Sequence, residues 1–187
     1  LKERAVLFLI GFEFFIFAHH EKYDRVDIIL INENEVIIEV LDITFPYESS
    51  YDSKKSKIDK NRDGLISDEE LKLIADEDSL SQLARLSLRF NDKSVLLKRV
   101  KSEVKECPRQ VLKNTPISIW HRFYGKIDGD ICGTFIFSDS GDFTKGVTKF
   151  IINGKCSIEE TNGVVKGNHV IKEMEQKGKS LMIRMSK

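Results

Sequence analysis

The sequence predicts one mainly β domain of α+β type, an antiparallel sandwich-like or barrel-like fold with a single acidic loop and helix inserted at about residues 50–88. Two patterns predict it. Short β-branched-rich runs, each ended by Gly, Asn, Asp or Ser clusters, recur along the chain, while apolar residues at helical spacing are confined to Asp68–Leu88. With 187 residues, 41% of them hydrophobic, the chain is long enough to bury a core without help from a metal or a disulfide framework. Its 30 basic residues balance 30 acidic ones. That neutrality supplies no long-range field for phosphates, so nucleic-acid binding is not expected.

At the amino terminus, Lys2 and Arg4 precede an apolar run, Ala5–Phe17, which carries one charge, Glu13, and ends at Ala18. A basic start, a short apolar run and a small residue form the order of a secretory signal peptide. Residues 1–18 are therefore expected to be a signal peptide, leaving 19–187 as one secreted or periplasmic β-rich domain. The alternative for the run is a buried core helix or strand. It is short against the roughly 20 apolar residues of a membrane-spanning helix, and no longer run follows, so stable membrane insertion of the mature chain is not expected.

Val26–Ile31 and Val36–Phe45 flank Asn-Glu-Asn-Glu and read as a hairpin. Leu71, Ile74, Leu80, Leu83 and Ala84 then fall at roughly helical spacing, as one helix or as two pieces divided at Asp76-Glu77-Asp78. LSLRF, a turn at Asn91-Asp92-Lys93 and SVLLKRVKSEV read as a second hairpin. Beyond Pro108 and Pro116 the runs ISIWHRFYGKI, ICGTFIF, VTKFIING, VVKGNHVIKEM and SLMIRM are short strands. No internal repeat or low-complexity linker divides the chain.

The most specific motif lies in the insert. Residues 59–70 read DKNRDGLISDEE, the pattern of a twelve-residue EF-hand loop. Asp59, Asn61 and Asp63 take the first, third and fifth positions, and Gly64 takes the sixth, where the chain turns sharply around an ion. Leu65 offers its backbone carbonyl, Ser67 its hydroxyl, directly or through a water, and Glu70 both carboxylate oxygens. Such hard oxygen ligands suit Ca2+, whose shell is flexible, better than the strict octahedron of Mg2+. Average residue frequencies give roughly a few chances in ten thousand of such a window arising in a chain of this length.

The flanks are less regular. An entering helix would present Tyr51 and Ile58 with Lys54 and Lys55 between them, and is expected to be short or absent. Lys54, Lys55, Lys57, Lys60 and Arg62 read as a solvated basic face that modestly weakens cation binding. Ile66 ordinarily pairs with a second loop, and the sequence contains none. A lone site outside the cytosol suits the weak extracellular range of about 0.1–1 mM and constitutive occupancy.

Together with the signal ending in Ala-His, the strand pair before the loop and the Leu-rich helix after it, residues 16–100 resemble bacterial exported proteins with one EF-hand in a β-rich domain. Similar segments occur in extracytoplasmic domains associated with nickel/cobalt-type permeases. The resemblance implies Asp59, Asn61, Asp63, Leu65, Ser67 and Glu70 as calcium ligands. It also implies an interaction or transport-accessory role, with a protein partner or membrane transporter alongside. It does not extend to residues 105–187.

Two competing functions use other residues. His19 and His20 would stand at the mature amino terminus and bind nickel or copper there, the alternative being an ordinary polar start. A hydrolase would need His121, His169, Asp128 and Asp130 gathered in one deep pocket. No GxSxG elbow and no Gly-rich phosphate loop is present, which favours a non-enzymatic role. Trp120–Tyr124 alternates across a strand and reads as core packing rather than a base-stacking platform. Of Cys107, Cys132 and Cys156, one pair and one free thiol are expected after export. If ICGTFIF and VTKFIING form a hairpin, Ile136 faces Ile152 and Cys132 faces Cys156, which favours Cys132–Cys156.

Overall fold

Near-continuous β-branched runs, buried on both faces, set the first two strands. A computed structural model describes residues 23–141, 143–174 and 180–187. The expected signal peptide, His19 and His20 lie outside them. The elements run β1 (Arg25–Asn32), β2 (Glu35–Thr44), α1 (Tyr51–Ile58), α2 (Asp68–Arg85), β3 (Leu86–Phe90), β4 (Lys93–Ser94) and β5 (Lys98–Glu106). They continue as β6 (Ile117–Lys126), β7 (Thr134–Asp139), β8 (Gly146–Asn153), β9 (Ser157–Thr161), β10 (Val164–Lys166), β11 (His169–Met174) and β12 (Ser180–Ser186). β1 and β2 pair antiparallel with Ile29 opposite Ile38, and Glu33 at φ 53° closes the tight turn.

The fold is a mainly β sandwich of two sheets. A seven-stranded sheet has the order β10-β11-β8-β1-β2-β6-β5, and a five-stranded sheet the order β4-β3-β7-β12-β9. Ile29, Ile38 and Phe150 of the larger sheet pack against Phe135, Phe137 and Ile183 of the smaller one to form the main core. One pairing departs from the antiparallel expectation: β1 and β8 run parallel, with Ile29 opposite Phe150. Parallel neighbours need a long crossover. Both described helices and six strands, β2 to β7, lie between these two in sequence.

The helices sit on the same side of the larger sheet as the smaller sheet does. Tyr51, Ile58, Ile66 and Ile74 close over Ile117 and Ile119 of β6. The entering helix is present, eight residues long. α2 is continuous for 18 residues and does not divide at Asp76-Glu77-Asp78. Its acids are paired instead: Asp76 with Arg99 at 2.6 Å, Glu77 with Lys60 at 3.1 Å and Asp78 with His121 at 2.9 Å. Leu88 belongs to β3 rather than the helix, because Leu86, Leu88 and Phe90 alternate into the sandwich core.

Cys132 and Cys156 are disulfide-bonded, and Cys107 is free. The hairpin invoked for that pairing does not exist. β7 pairs with β3 and β12, β8 pairs with β1 and β11, and Ile136 lies opposite Met182 rather than Ile152. The bridge instead joins the segments just before β7 and just before β9, two strands of the five-stranded sheet that flank β12. Likewise β3 pairs with β4 over only two residues, and β5 leaves to pair with β6. Alkylation of the unfolded, unreduced chain is expected to label one cysteine, and three after reduction. Closing a loop of 24 residues should contribute about 3 kcal/mol, lost on reduction in a urea melt.

At one end the sandwich interior becomes polar. Arg25 Nε donates to Asp27 Oδ1 at 2.9 Å, its Nη1 donates to Gln82 Oε1 at 2.6 Å, and its Nη2 lies 2.5 Å from Asp139 Oδ2. Gln82 Nε2 donates onward to Asp42 and Asp78, at 3.3 and 3.2 Å. Burial pushes Asp27 up to about 7; Arg25 opposes that shift and Asp139 adds to it. The protonated form of Asp27 thus favours the folded state. Its contribution is fully present below the ordinary value of 3.8 and is lost as pH rises through about 7. Asp27→Asn should flatten this part of the profile, measured by urea melts at pH 5 and pH 8. Parallel profiles for parent and variant would contradict it.

Candidate metal centre

The loop between α1 and α2 is built by local hydrogen bonds that follow from its residue types. Asp59 Oδ2 accepts from the Gly64 N–H at 3.1 Å, Asn61 Oδ1 from Asp63 N–H at 2.9 Å, and Asp63 Oδ1 from Leu65 N–H at 2.8 Å. Short acceptor side chains at alternate positions thereby fold the backbone inward. Gly64 takes φ 82°, a left-handed conformation in which a side chain would be strained. Ser67 caps α2 with Glu70 in a reciprocal box, accepting from the Glu70 N–H while the Glu70 carboxylate accepts from the Ser67 N–H at 2.9 Å.

A partner for Ile66 exists that the sequence did not reveal. Ile66 N–H donates to Arg109 O and Val111 N–H to Gly64 O, both at 3.0 Å, which makes a single antiparallel bridge between Leu65 and Gln110. The segment after β5 therefore stands where a second loop would. In that bridge Leu65 is a non-hydrogen-bonded position, so its own carbonyl points away from Gln110 and toward the loop. Arg109 reinforces the contact through Asp68 at 2.6 Å.

The basic flank is only in part the solvated face that the sequence suggested: Lys57, Lys60 and Arg62 are exposed, and Lys54 and Lys55 are not. Lys54 Nζ donates to Thr44 at 2.9 Å, and Lys55 is buried, donating to Asn114 at 3.2 Å beneath the Tyr51 ring. Lys60 turns to Glu77. Only Lys57 and Arg62 of the five remain exposed and without such a partner among the described residues.

Two groups bear on whether an ion fits. Asp59 is 7% exposed, and its Oδ1 is buried without a hydrogen-bond donor among the described residues. A buried carboxylate oxygen with nothing to accept is costly and needs a cation or a proton. Hydrogen bonds from Ser67, with the Asn61 and Lys60 N–H groups assisting, lower the Glu70 carboxyl from its ordinary value. Its oxygens are occupied by these donors, and the carboxylates of Asp59, Asp63 and Glu70 do not converge within 4.8 Å. Calcium entry would exchange the Glu70 bonds for bonds to the ion. The donor set of Asp59, Asn61, Asp63, Leu65, Ser67 and Glu70 fits calcium in type and order.

The other candidate residues are dispersed. His121 is fully buried, with Nε2 at 2.9 Å from Asp78 of α2 and Nδ1 at 2.9 Å from Ser102 Oγ of β5, so one ring nitrogen ties the sheet to α2 and the other ties β6 to β5. Burial pushes Asp78 up, but the His121 hydrogen bond and the charge of Lys54 outweigh it and hold the group low. His169 lies on β11, four strand spacings from β6, or about 19 Å. Asp130 bonds to Lys187 at 2.6 Å, and its neighbours Cys132 and Cys156 are spent on the disulfide. A cleft of about 440 Å³ is lined by Asp42, Thr44, Lys54, Asp78 and Arg85, but not by His121, His169, Asp128 or Asp130. No protein-family model and no curated protein matches the chain.

Proposed function

We propose that the protein is an exported, calcium-stabilised β domain with a single EF-hand, acting as a structural, interaction or transport-accessory module. The buried, donorless Oδ1 of Asp59, at the first position of a complete loop pattern, is the observation that carries the reading. Calcium held by Asp59, Asn61, Asp63, Ser67, Glu70 and the Leu65 carbonyl would neutralise three carboxylates and tie α1 to α2. The bridge to Gln110 supports a loop fastened to this domain rather than a free-standing sensor, since its pairing partner is the domain's own chain. Residues 1–18 support export by their basic, apolar, small-residue order. The resemblance to permease-associated domains supports a membrane transporter as the partner.

The test is a pair of melting curves, in millimolar calcium and in chelator. Calcium should raise the midpoint and magnesium should do so much less. Identical midpoints in calcium and chelator would overturn the reading.

A further inference from the structure

Ser102, His121 and Asp78 form one continuous hydrogen-bonded array. They come from β5, β6 and α2, so no local motif announces them. Ser102 and His121 lie directly opposite one another across the two strands, and their side chains share a face. His121 Nε2 donates to Asp78 Oδ2 at 2.9 Å. Burial opposes the Asp78 charge, but that bond and the nearby Lys54 outweigh it, so the group stays a carboxylate. A carboxylate only accepts, which keeps the ring proton on Nε2. In the neutral ring Nδ1 is then a bare lone pair, 2.9 Å from Ser102 Oγ and placed to take its proton. These are the acid, base and hydroxyl of an activated serine, with the two ring nitrogens exchanged relative to the usual order.

The base is fully buried, whereas Ser102 is partly exposed. β5 ends the seven-stranded sheet, and no described strand pairs with its outer side. Register shifts between Arg99 and Lys101 and between Val104 and Glu106 bracket Ser102, a local distortion of the kind that re-aims a side chain. An edge strand leaves alternate N–H groups unpaired, available to an oxygen that gains charge. Arg99 brings a guanidinium to the α2 side as well, 3.2 Å from Ser79 Oγ. The cleft of about 440 Å³ reaches Asp78 but not Ser102, which leaves an open strand edge suited to a small acyl group.

We propose that Ser102 is a nucleophile that accepts acyl groups from small esters, with His121 as its base and Asp78 positioning the ring. Ser102 Oγ bonds to the acyl carbon, its proton passes to His121 Nδ1 and on to the departing alkoxide, and the ester C–O bond breaks. Water then adds to the acyl carbon, its proton passes through His121 to Ser102 Oγ, and the carboxylic acid leaves. The inference is independent of calcium.

A fluorophosphonate and nitrophenyl acetate test this on the full chain. The fluorophosphonate should lose fluoride and leave its phosphonyl group on Ser102, located by peptide mass spectrometry. Nitrophenolate release from nitrophenyl acetate should then fall at least about tenfold, to the rate of Ser102→Ala, which removes only a hydroxyl at the strand edge. Asp78→Asn should slow labelling about a hundredfold at temperatures where calorimetry finds it folded, and Asp78→Glu, which keeps the charge, should recover part of the rate. No adduct on Ser102 in the parent would overturn the proposal, as would equal labelling rates in the parent and Asp78→Asn. So would nitrophenolate release by Ser102→Ala at the parent rate.

Discussion

Glu70→Gln is expected to abolish most of the rise in melting temperature that calcium gives the parent chain. The substitution is nearly isosteric and removes one charge. Glutamine can keep the capping-box acceptor for α2 but its NH2 cannot accept the Lys60 and Asn61 N–H bonds, so the calcium-free midpoint should fall modestly and the calcium-induced shift is the readout. What is lost is a bidentate anionic ligand for the ion. At free calcium a hundredfold above the dissociation constant, binding contributes about 2.7 kcal/mol. For a domain of this size that corresponds to a shift of roughly 5–10 °C. Scanning calorimetry of parent and variant, each in calcium and in chelator, reads the effect. An equal calcium shift in both proteins would mean that Glu70 is not a ligand.

Arg25→Met is expected to cost about 3–5 kcal/mol, because it leaves Asp27 and Asp139 facing one another in the interior without their shared cation. Both carboxylates are at most 1% exposed, so water cannot replace the guanidinium. The Gln82 amide loses its donor as well, which loosens the link from β1 to α2. The loss should be greater at pH 8 than at pH 5, since protonation of Asp27 relieves part of the repulsion. Adding Asp27→Asn to Arg25→Met should recover part of it. Urea melts measure each value. A cost under about 1 kcal/mol would show that the buried cluster is not held by Arg25.

Several parts of this arrangement were legible in the residues because they rest on local chemistry. The β-branched-rich runs Val26–Ile31 and Val36–Phe45 place β1 and β2, and the helical spacing of Leu71, Ile74 and Leu83 places α2. The Asp, Asn and Gly spacing of residues 59–64 likewise announces the tight loop between α1 and α2, which local side-chain hydrogen bonds fold. Long-range pairing was not legible. ICGTFIF and VTKFIING are adjacent in sequence and equally β-prone, yet β7 and β8 fall in different sheets. Nothing local to either strand distinguishes a hairpin from a crossover. The Cys132–Cys156 bond was anticipated through that incorrect hairpin, and it forms instead between the segments that lead into β7 and β9, which flank β12 in the smaller sheet.

Other departures have the same origin. β9 reads SIEET, too polar to stand out as a strand, and is placed only by pairing with β12. The run of lysines before the loop resembled a solvated face because their partners, Thr44, Asn114 and Glu77, are remote in sequence or across the loop. The Arg25–Asp27–Asp139 cluster has no motif, since its members come from β1 and β7. One signal was available: alternating charged residues at Arg25 and Asp27, on the core-facing side of an apolar strand, must find partners if they are buried.

Calcium titration calorimetry on the folded protein addresses the central claim most directly. The proposed lone extracellular site predicts one calcium per chain with a dissociation constant of about 0.1–1 mM, with binding absent in Glu70→Gln and in Asp59→Ala. No binding heat in the parent at millimolar calcium, or unchanged binding in both variants, would contradict it.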